Sequence, residues 1–479
     1  MPEVIPPSAH CRLGVARCDI TPPVGIYHRM WGAATHDRAT GVHQPLTASA
    51  VWLEPVEPGQ GAKVILAIDH CLSWGPVLDG MLDRLQRETG LPRSAFAVTF
   101  SHTHAAGLMD PNRTDLPGGD LIPPYLEALT DSLVRVTKEA HDNLQPAWLT
   151  FASGRCTLAG QRDFWDDASK QFVCGFNPDA AADDTVLIGR ATSAEGKALA
   201  ILVNYACHPT TLAFQNTLIS PDFPGAMRDL VEKHAGAPCV FLQGASGDLG
   251  PREGFVGDPS VAERNGRQLG YAVLAALEAL PPPARRFVYQ GPVVSGATLG
   301  LWDYQPLTAG QIREREAFRW EEETVPLRYR PDLPSLERVR ADQESWLEKE
   351  KAAAGDESAY RDAHAMVERM RRLDTRLAQL PAGADFPMPV SLGRVGASLW
   401  FFVEGEHYQW LQQTLRAAVP DRPLFVVTLT NGWRCSYLPS TAAYGKGIYQ
   451  ETVAVLAQGC LERLAEAAAA RLAALSAKV

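Results

Sequence analysis

The sequence contains no cluster of basic residues and no long apolar run, and each absence excludes a class of protein. Lysine and arginine number 45 against 55 acidic residues, so the 479-residue chain has a net charge of −10. Proteins that track nucleic-acid phosphates need a basic surface, so we expect no nucleic-acid partner. No stretch approaches the roughly 20 apolar residues of a membrane span, and the initial "MPEVIPPSAHCRLG" does not resemble a secretory signal peptide. A stable membrane anchor is therefore not expected.

Cysteine is scarce, and its spacing suggests neither a disulfide framework nor a cysteine-rich metal site. The nine cysteines are an odd number, and no two of them form a CxxC motif. Free thiols in a reducing compartment suit this usage best, which makes the cytoplasm the expected location. Internal repeats and low-complexity linkers are also missing. One domain spanning residues 1–479 is therefore the simplest partition.

The chain does contain a series of short apolar runs that end abruptly in polar residues. Such runs are typical of strands covered on both faces, and helical patterns such as "FPGAMRDLVEKHAG" follow several of them. This alternation predicts an α/β protein: a layered mixed sheet with helices on its faces. Residues 307–380 are instead rich in Glu, Arg and Ala, and we interpret them as a helical insertion within the domain. The apolar runs are "AKVILAID", "FAVTF", "ALAILVNYACH", "APCVFLQG", "SLWFFVEGE" and "PLFVVTLTNGW".

Two histidines one residue apart, His102 and His104, follow the run "FAVTF". In an extended strand, residues i and i+2 point to the same face, so both imidazoles would project together. Taken alone, the pair is better explained as two unrelated loop histidines. However, two further runs end at His208 and Glu406, and ligands of α/β sheets gather at the carboxyl ends of strands. Two histidines and a carboxylate converging there predict a zinc site.

Seven motifs occur in an order that resembles the neutral ceramidases and their shorter bacterial relatives. The similarity extends from about Gly14 to the final helix. Each motif is weak alone, but seven in one order form a specific signature. The resemblance implies a zinc-dependent amide hydrolase with an α/β catalytic domain and a metal-activated water. The motifs are "GVARCDITPPVG", "SHTHAAG", "NYACHPTTL", "ISPDFPGAM", "FLQGASGDLGP", "EGEH" and "NGWRCSYLP...YGKGIYQET".

Zinc in this family is held by two histidines, one glutamate and one tyrosine. Motif position assigns the glutamate of "EGEH" to Glu406 rather than Glu404, and the tyrosine of "GIYQE" to Tyr449. Without the resemblance, Tyr449 would be interpreted as an ordinary buried aromatic residue. The resemblance therefore implies Zn²⁺ as the cofactor, with His102, His208, Glu406 and Tyr449 as its ligands.

The resemblance also implies which residues act on the substrate. His104, the second histidine of "SHTH", would contact the substrate or the developing oxyanion, and Arg162 of "GQRDF" would line the same pocket. Tyr437 of "CSYLP" would bind substrate, and Tyr449 would join His104 and Arg162 in catalysis. Asp222 admits two roles, orienting a zinc-bound imidazole or capping the helix that follows it, and capping is the simpler.

Two departures from the family pattern concern the substrate. Neutral ceramidases carry a serine close to the scissile amide in the segment after Gly-Asp, where "GDLGP" has Gly250, and Ser246 is not its equivalent. The long enzymes also end in an immunoglobulin-like domain that helps to form a lipid-facing surface, and we expect none here. A small-molecule or lipid-like amide is the expected partner, and a compact N-acyl amide is favoured over long-chain ceramide.

Two other functions remain open on the same residues. The metal could serve an esterase, a lactonase or a lyase, or the chain could be a homologue that binds a metal or ligand without catalysis. Assays with a panel of amides, esters and lactones distinguish an amidase from an esterase or a lactonase. Elemental analysis shows whether a non-catalytic homologue binds a metal. The sequence does not define an oligomeric state, and a homo-oligomer stays open.

Overall fold

Two β-sheets packed face to face between outer helices form the body of the protein. The computed structural model describes residues 1–57 and 61–477. Apolar side chains from both sheets meet in one buried cluster, in which the Trp400 ring stacks on the Phe425 ring with centroids 4.1 Å apart. Along strand Thr47–Glu54, Val51 points into that cluster and Trp52 points to the outer helices, as the alternation of a strand requires. The expected α/β class, a mixed sheet with helices on its faces, is confirmed.

The larger sheet has eight strands and is antiparallel except for the parallel pair at each of its two edges. A helix joins the strands of each parallel pair, because parallel neighbours need a crossover connection. These helices are Gly75–Thr89 and Phe223–Ala235. In spatial order the strands are Cys239–Gln243, Ala198–Tyr205, Thr185–Ser193, Gln145–Arg155, Ser8–Asp19, Thr47–Glu54, Lys63–Ile68 and Phe96–Phe100.

The smaller sheet has four strands, and its last two are again a parallel pair joined by a helix, Trp410–Ala418. Its strands are Phe318–Arg328, Asp385–Val395, Ser398–Val403 and Leu424–Val427. The other long outer helices are Ile122–Asp142, Pro259–Glu278 and Cys460–Ser476.

Asn431 links the smaller sheet to an edge of the larger one. Its side-chain carbonyl accepts from the Val98 amide at 2.8 Å, and its amide group donates to the Phe96 carbonyl at 2.8 Å. The Thr428 amide donates to the Gln243 carbonyl at the opposite edge, at 3.0 Å. Asn431 has a φ of 56°, a left-handed conformation that asparagine tolerates better than most residues. The segment 428–431, which follows the last strand of the smaller sheet, is therefore bonded to both edge strands of the larger sheet.

The helical interpretation of residues 307–380 is correct only in part. Helices do occupy Ala309–Arg315, Leu336–Ala352 and Glu357–Ala378, and we refer to the last two as the first and second insertion helices. The prediction is wrong for Phe318–Arg328, which is an edge strand paired antiparallel with Asp385–Val395. An edge strand leaves charged side chains in solvent, so its glutamates imitate the surface of a solvated helix.

Short elements complete the chain, and all nine cysteines are free thiols. Within the described ranges, no helix combines the length and the apolar character that crossing a membrane requires. The remaining strands are Glu3–Val4, Gly41–Val42, Ala159–Gln161, Asp163–Asp166, Gln171–Cys174, Leu218–Ile219, Leu249–Pro251, Arg285–Ser295, Ala297–Pro306, Glu406–His407 and Tyr437–Leu438. The remaining helical turns are Arg93–Ala95, Pro111–Arg113, Gly119–Leu121, Thr441–Ala443 and Tyr449–Val453.

Candidate active site

Three side chains from three strand ends converge in the interior of the protein. His102 follows the edge strand Phe96–Phe100, His208 follows Ala198–Tyr205, and Glu406 follows the smaller-sheet strand that ends at Val403. The Nε2 atoms of the two histidines are 3.1 Å apart, and Glu406 Oε2 lies 3.1 Å from His102 and 2.8 Å from His208. All three side chains are buried. We refer to His102 Nε2, His208 Nε2 and Glu406 Oε2 as the donor triangle.

The hydrogen bonds behind the donor triangle suit a metal ion. His102 Nδ1 lies 2.6 Å from the Cys71 carbonyl, and His208 Nδ1 lies 2.7 Å from the Ser246 carbonyl. A carbonyl only accepts, so each Nδ1 carries a proton, and each imidazole in its neutral form turns an Nε2 lone pair toward the triangle. Two lone pairs and a carboxylate repel one another unless a cation lies between them. Tetrahedral zinc, with bonds of about 2.0–2.1 Å, separates its ligands by about 3.3 Å, close to the spacings here.

The protein's own charges make one imidazole of the donor triangle neutral and the other a cation. Burial opposes a charge on His102, but Cys71 and Glu406 raise its pKa well above the ordinary value, so a metal ion binding here would displace that proton. Burial and the Arg162 guanidinium lower the pKa of His208 to about 3, so this imidazole is neutral at pH 7. Burial alone would raise the pKa of Glu406, but the two histidines hold it well below its usual value. A neutral imidazole and an ionised carboxylate are the forms that bind zinc.

His104 lies beside the donor triangle, though not for the reason that the sequence pattern suggested. The strand ends at Phe100, and His102 has a φ of 69°, so the two histidines do not share one face of an extended strand. Their Nε2 atoms are nevertheless 3.5 Å apart. Burial and the neighbouring His102 and His208 hold the pKa of His104 well below its ordinary value. The left-handed His102 is a costly conformation that the surrounding fold must enforce.

The tyrosine beside the donor triangle is Tyr437. Its hydroxyl lies 3.2 Å from His208 Nε2, and Arg162 Nη2 donates to it at 3.0 Å and to the Gly247 carbonyl at 2.8 Å. Tyr437 is buried because strand Tyr437–Leu438 pairs directly with Glu406–His407. Tyr449 is 48% exposed, and its ring centroid lies 5.8 Å from that of Tyr437. The geometry therefore favours Tyr437 over Tyr449 as a fourth donor and leaves Tyr449 beside it.

Two tryptophans that the sequence did not single out contact this group. The Trp433 indole N–H donates to Glu406 Oε1 at 2.5 Å, which holds the carboxylate in place. The Trp31 ring packs on His104 with centroids 5.2 Å apart. Trp433 stands in the quoted motif "NGW", so its position was a usable signal, whereas nothing in the local sequence distinguishes Trp31.

Two alternatives left by the sequence are resolved by contacts. Glu404 pairs with Arg434, with its oxygens 3.1 and 3.2 Å from the guanidinium, and does not join the donor triangle. Asp222 accepts from the amides of Phe223 at 2.6 Å and Leu212 at 2.8 Å, so it caps the helix Phe223–Ala235. Backbone carbonyls, and not Asp222, orient the two imidazoles of the triangle.

Gly250 leaves room for a small side chain next to Arg162. A Cβ added there would lie 3.7 Å from Thr210 Oγ1 and 3.8 Å from Arg162 Cδ, both ordinary contacts. Thr210 Oγ1 and Arg162 Nε are buried and lack a hydrogen-bond partner among the described residues. Buried polar atoms without partners are costly, so a polar group entering this space would find two of them available.

Comparisons with known proteins agree with this architecture. The family model "Neutral/alkaline non-lysosomal ceramidase, N-terminal" matches residues 11–252, just over half of the chain, and the chain belongs to this family. A neutral ceramidase from Pseudomonas aeruginosa is similar in structure, with a TM-score of 0.66, 16% identity, and coverage of 99% of this chain and 75% of that one. A ceramidase complexed with C2 matches with a TM-score of 0.64 and 15% identity, covering 99% and 77%. At these identities the likeness shows the fold.

Proposed function

We propose that this member of the ceramidase family is a zinc-dependent hydrolase that cleaves the C–N bond of a compact amide. Family membership implies a hydrolase. The single observation that carries the proposal is the donor triangle, in which two imidazoles and a carboxylate converge within 3.1 Å of one another. Tyr437 is the fourth donor beside them.

The residues around the triangle have separable roles in this reaction. A zinc ion bound there supplies Lewis acidity and makes water nucleophilic near neutral pH. His104 is half-buried and faces the triangle, so it can hydrogen-bond the substrate carbonyl as negative charge develops on its oxygen. Arg162 donates hydrogen bonds to the Tyr437 hydroxyl and to the Gly247 carbonyl, and so positions Tyr437. In the net reaction the oxygen of water bonds to the acyl carbon, the C–N bond breaks, and the amine takes up a proton.

A compact substrate is supported by the walls of the site. The rigid Trp31 ring packs on His104, and the rigid Trp433 ring is hydrogen-bonded to Glu406. Both rings therefore occupy space next to the donor triangle. Gly250 stands where the resemblance places the family serine, beside two buried polar atoms that lack a partner among the described residues. These features favour a short amide with a polar group over a long lipid chain.

Removing the metal tests the proposal directly. We expect the purified protein to contain about one zinc per chain, to lose hydrolysis of short N-acyl amides on chelation, and to recover it when zinc returns. The assay measures amine release from amides alongside hydrolysis of esters and lactones of matched size. Full amide hydrolysis by metal-free protein contradicts the zinc mechanism, and hydrolysis confined to esters or lactones contradicts the amidase assignment.

His104→Ala separates substrate contact from metal binding. We expect the turnover number to fall by about a hundredfold while zinc stays bound, because an oxyanion contact acts in the transition state. Zinc content and kcat are measured on the same preparation. His234→Ala, at an exposed histidine paired with Glu278, is the matched control and should alter neither. Loss of zinc from His104→Ala, with retention in His102→Ala, would show that the two roles are exchanged.

A further inference from the structure

The second insertion helix, Glu357–Ala378, is fixed firmly beside the candidate active site. Arg113 pairs with Glu368 of this helix at 2.8 Å, and both side chains are almost fully buried. Close packing adds to this contact, because a Cβ on Gly32 would lie only 2.8 Å from the Ala365 Cβ. These contacts hold the second insertion helix in place beside the candidate active site. The side chains on its inner face therefore have defined positions.

Arg376 reaches the donor triangle through one intermediate residue. Its guanidinium lies 4.4 Å from the centroid of the Trp433 ring, and Trp433 is the residue that donates to Glu406. Its remaining direct bond is from Nη1 to the Val453 carbonyl at 3.1 Å. Burial lowers the pKa of Arg376 to about 10, and Tyr449 and Glu406 lie near enough to oppose that shift. The Arg376 side chain is thus a cation at neutral pH, and it lies near Glu406 of the donor triangle.

Arg372 lies one turn earlier on the same face of the helix, and it contacts the segment that carries Trp31. Its Nη2 donates to the Met30 carbonyl at 2.7 Å. Met30 precedes Trp31, whose ring packs on His104. We refer to Arg372 and Arg376 as the arginine pair.

No carboxylate of the described residues contacts the arginine pair directly, and Glu368 and Glu406 act on Arg372 and Arg376 only from longer range. Neither guanidinium forms an ion pair with a carboxylate of residues 1–57 or 61–477, and the same holds for Arg162. The Nε atoms of all three arginines are buried without an acceptor, and Arg376 is only 5% exposed. Glu368, one turn before Arg372, is already engaged by Arg113 and Arg371. A buried cation without an opposite charge in contact is unfavourable; Arg376 is such a cation, held among the described residues only by Trp433 and the Val453 carbonyl, and Arg372 beside it is half-buried.

We propose that the arginine pair binds an anionic group of the substrate, a carboxylate, and so selects amides that carry a negative charge. This inference rests on the proposed amide hydrolase function and names its substrate class. Glu406, the carboxylate of the donor triangle, is committed to the metal and cannot neutralise the guanidiniums as well. A substrate carboxylate supplies the missing charge, and guanidinium groups match its geometry with two parallel hydrogen bonds.

Three small amides of nearly equal size test the proposal. N-butanoylglycine carries the carboxylate on the amine side, N-succinylpropylamine carries it on the acyl side, and N-butanoylpropylamine is neutral. We expect kcat/KM for one of the two anionic amides to exceed that of the neutral amide by about 10- to 100-fold, the range of a charge-assisted hydrogen bond. The preferred isomer also tells which side of the scissile bond faces the arginine pair.

Variants of the arginine pair then assign the preference to these residues. Arg372→Gln and Arg376→Gln should each reduce the anionic-to-neutral ratio severalfold, and the double variant should bring it close to one. The ratio is measured within each preparation, so it does not depend on the folded fraction. Arg376→Lys keeps the charge and should retain part of the preference. Arg369→Gln, at an exposed position of the same helix, is the matched control and should keep the full ratio.

The outcomes distinguish this inference from the proposed function. Equal hydrolysis of all three amides, or a preference that survives in the double variant, overturns the inference and leaves an amide hydrolase standing. If the zinc-loaded protein cleaves none of these amides and no other compact amide, the proposed function itself fails. A ratio lost in Arg376→Gln and also in Arg369→Gln would mean that the helix was disturbed, which contradicts a specific role for the pair.

Discussion

His208→Ala is expected to remove stoichiometric zinc and to abolish hydrolysis. The substitution deletes the Nε2 atom that lies 3.1 Å from His102 and 2.8 Å from Glu406, so the donor triangle loses one corner. Contacts that merely support metal ligands are worth about 10- to 100-fold in affinity or activity, so loss of a ligand should cost more than about a hundredfold. Zinc per chain by elemental analysis and kcat/KM for a short N-acyl amide are the measurements.

Folding is the control for this experiment, because His208 is fully buried. Glu406→Gln keeps the size of the side chain and removes only the charge, so it should fold and bind zinc weakly. Circular dichroism and the thermal midpoint of both variants establish that the fold persists. A well-folded His208→Ala protein that retains one full zinc equivalent would show that the donor triangle is not the metal site.

The positions of the triangle could be predicted from the sequence because they depend on local patterns. An apolar run that ends in a polar residue marks a strand end, and strand ends carry ligands in layered α/β folds. His208 and Glu406 were found this way, and His102 came from the same rule although its left-handed backbone breaks the strand geometry assumed for it. The same pattern could not reveal the edge strand Phe318–Arg328, whose charges are exposed as in a helix.

Contacts between distant segments account for what the sequence left undetermined. The choice between Tyr437 and Tyr449 depends on the pairing of Glu406 with Tyr437 across two short strands, which no local pattern encodes. The arginine pair likewise stands in the charge-rich stretch for which the sequence predicts only a helical insertion. Its role is visible only once Arg376 is found over Trp433. Asn431 ties strands more than 300 residues apart in the chain by side-chain bonds.

Long-chain ceramide is expected to be a poor substrate, with kcat/KM at least about a hundredfold below that of the best compact amide, a difference of roughly 2.7 kcal/mol in transition-state stabilisation. The family resemblance places a serine near the scissile amide where this chain has Gly250. That glycine is no requirement of the backbone, because it lies in strand Leu249–Pro251 and a Cβ there would meet only ordinary contacts. We therefore propose that the missing hydroxyl is a chemical difference that changes the preferred substrate.

Gly250→Ser tests this explanation, with Gly250→Ala as the control of nearly equal size and no hydroxyl. A serine Oγ could meet Thr210 Oγ1, which now lacks a partner, and would stand beside the aliphatic part of Arg162. We expect Gly250→Ser to raise ceramide hydrolysis relative to the compact amide, and Gly250→Ala to leave that ratio as it is. Both substrates are assayed with and without detergent, so that ceramide solubility does not decide the result. Ceramide hydrolysis by the unaltered protein that exceeds every compact amide would contradict the assignment, since the glycine would then be compatible with the lipid substrate.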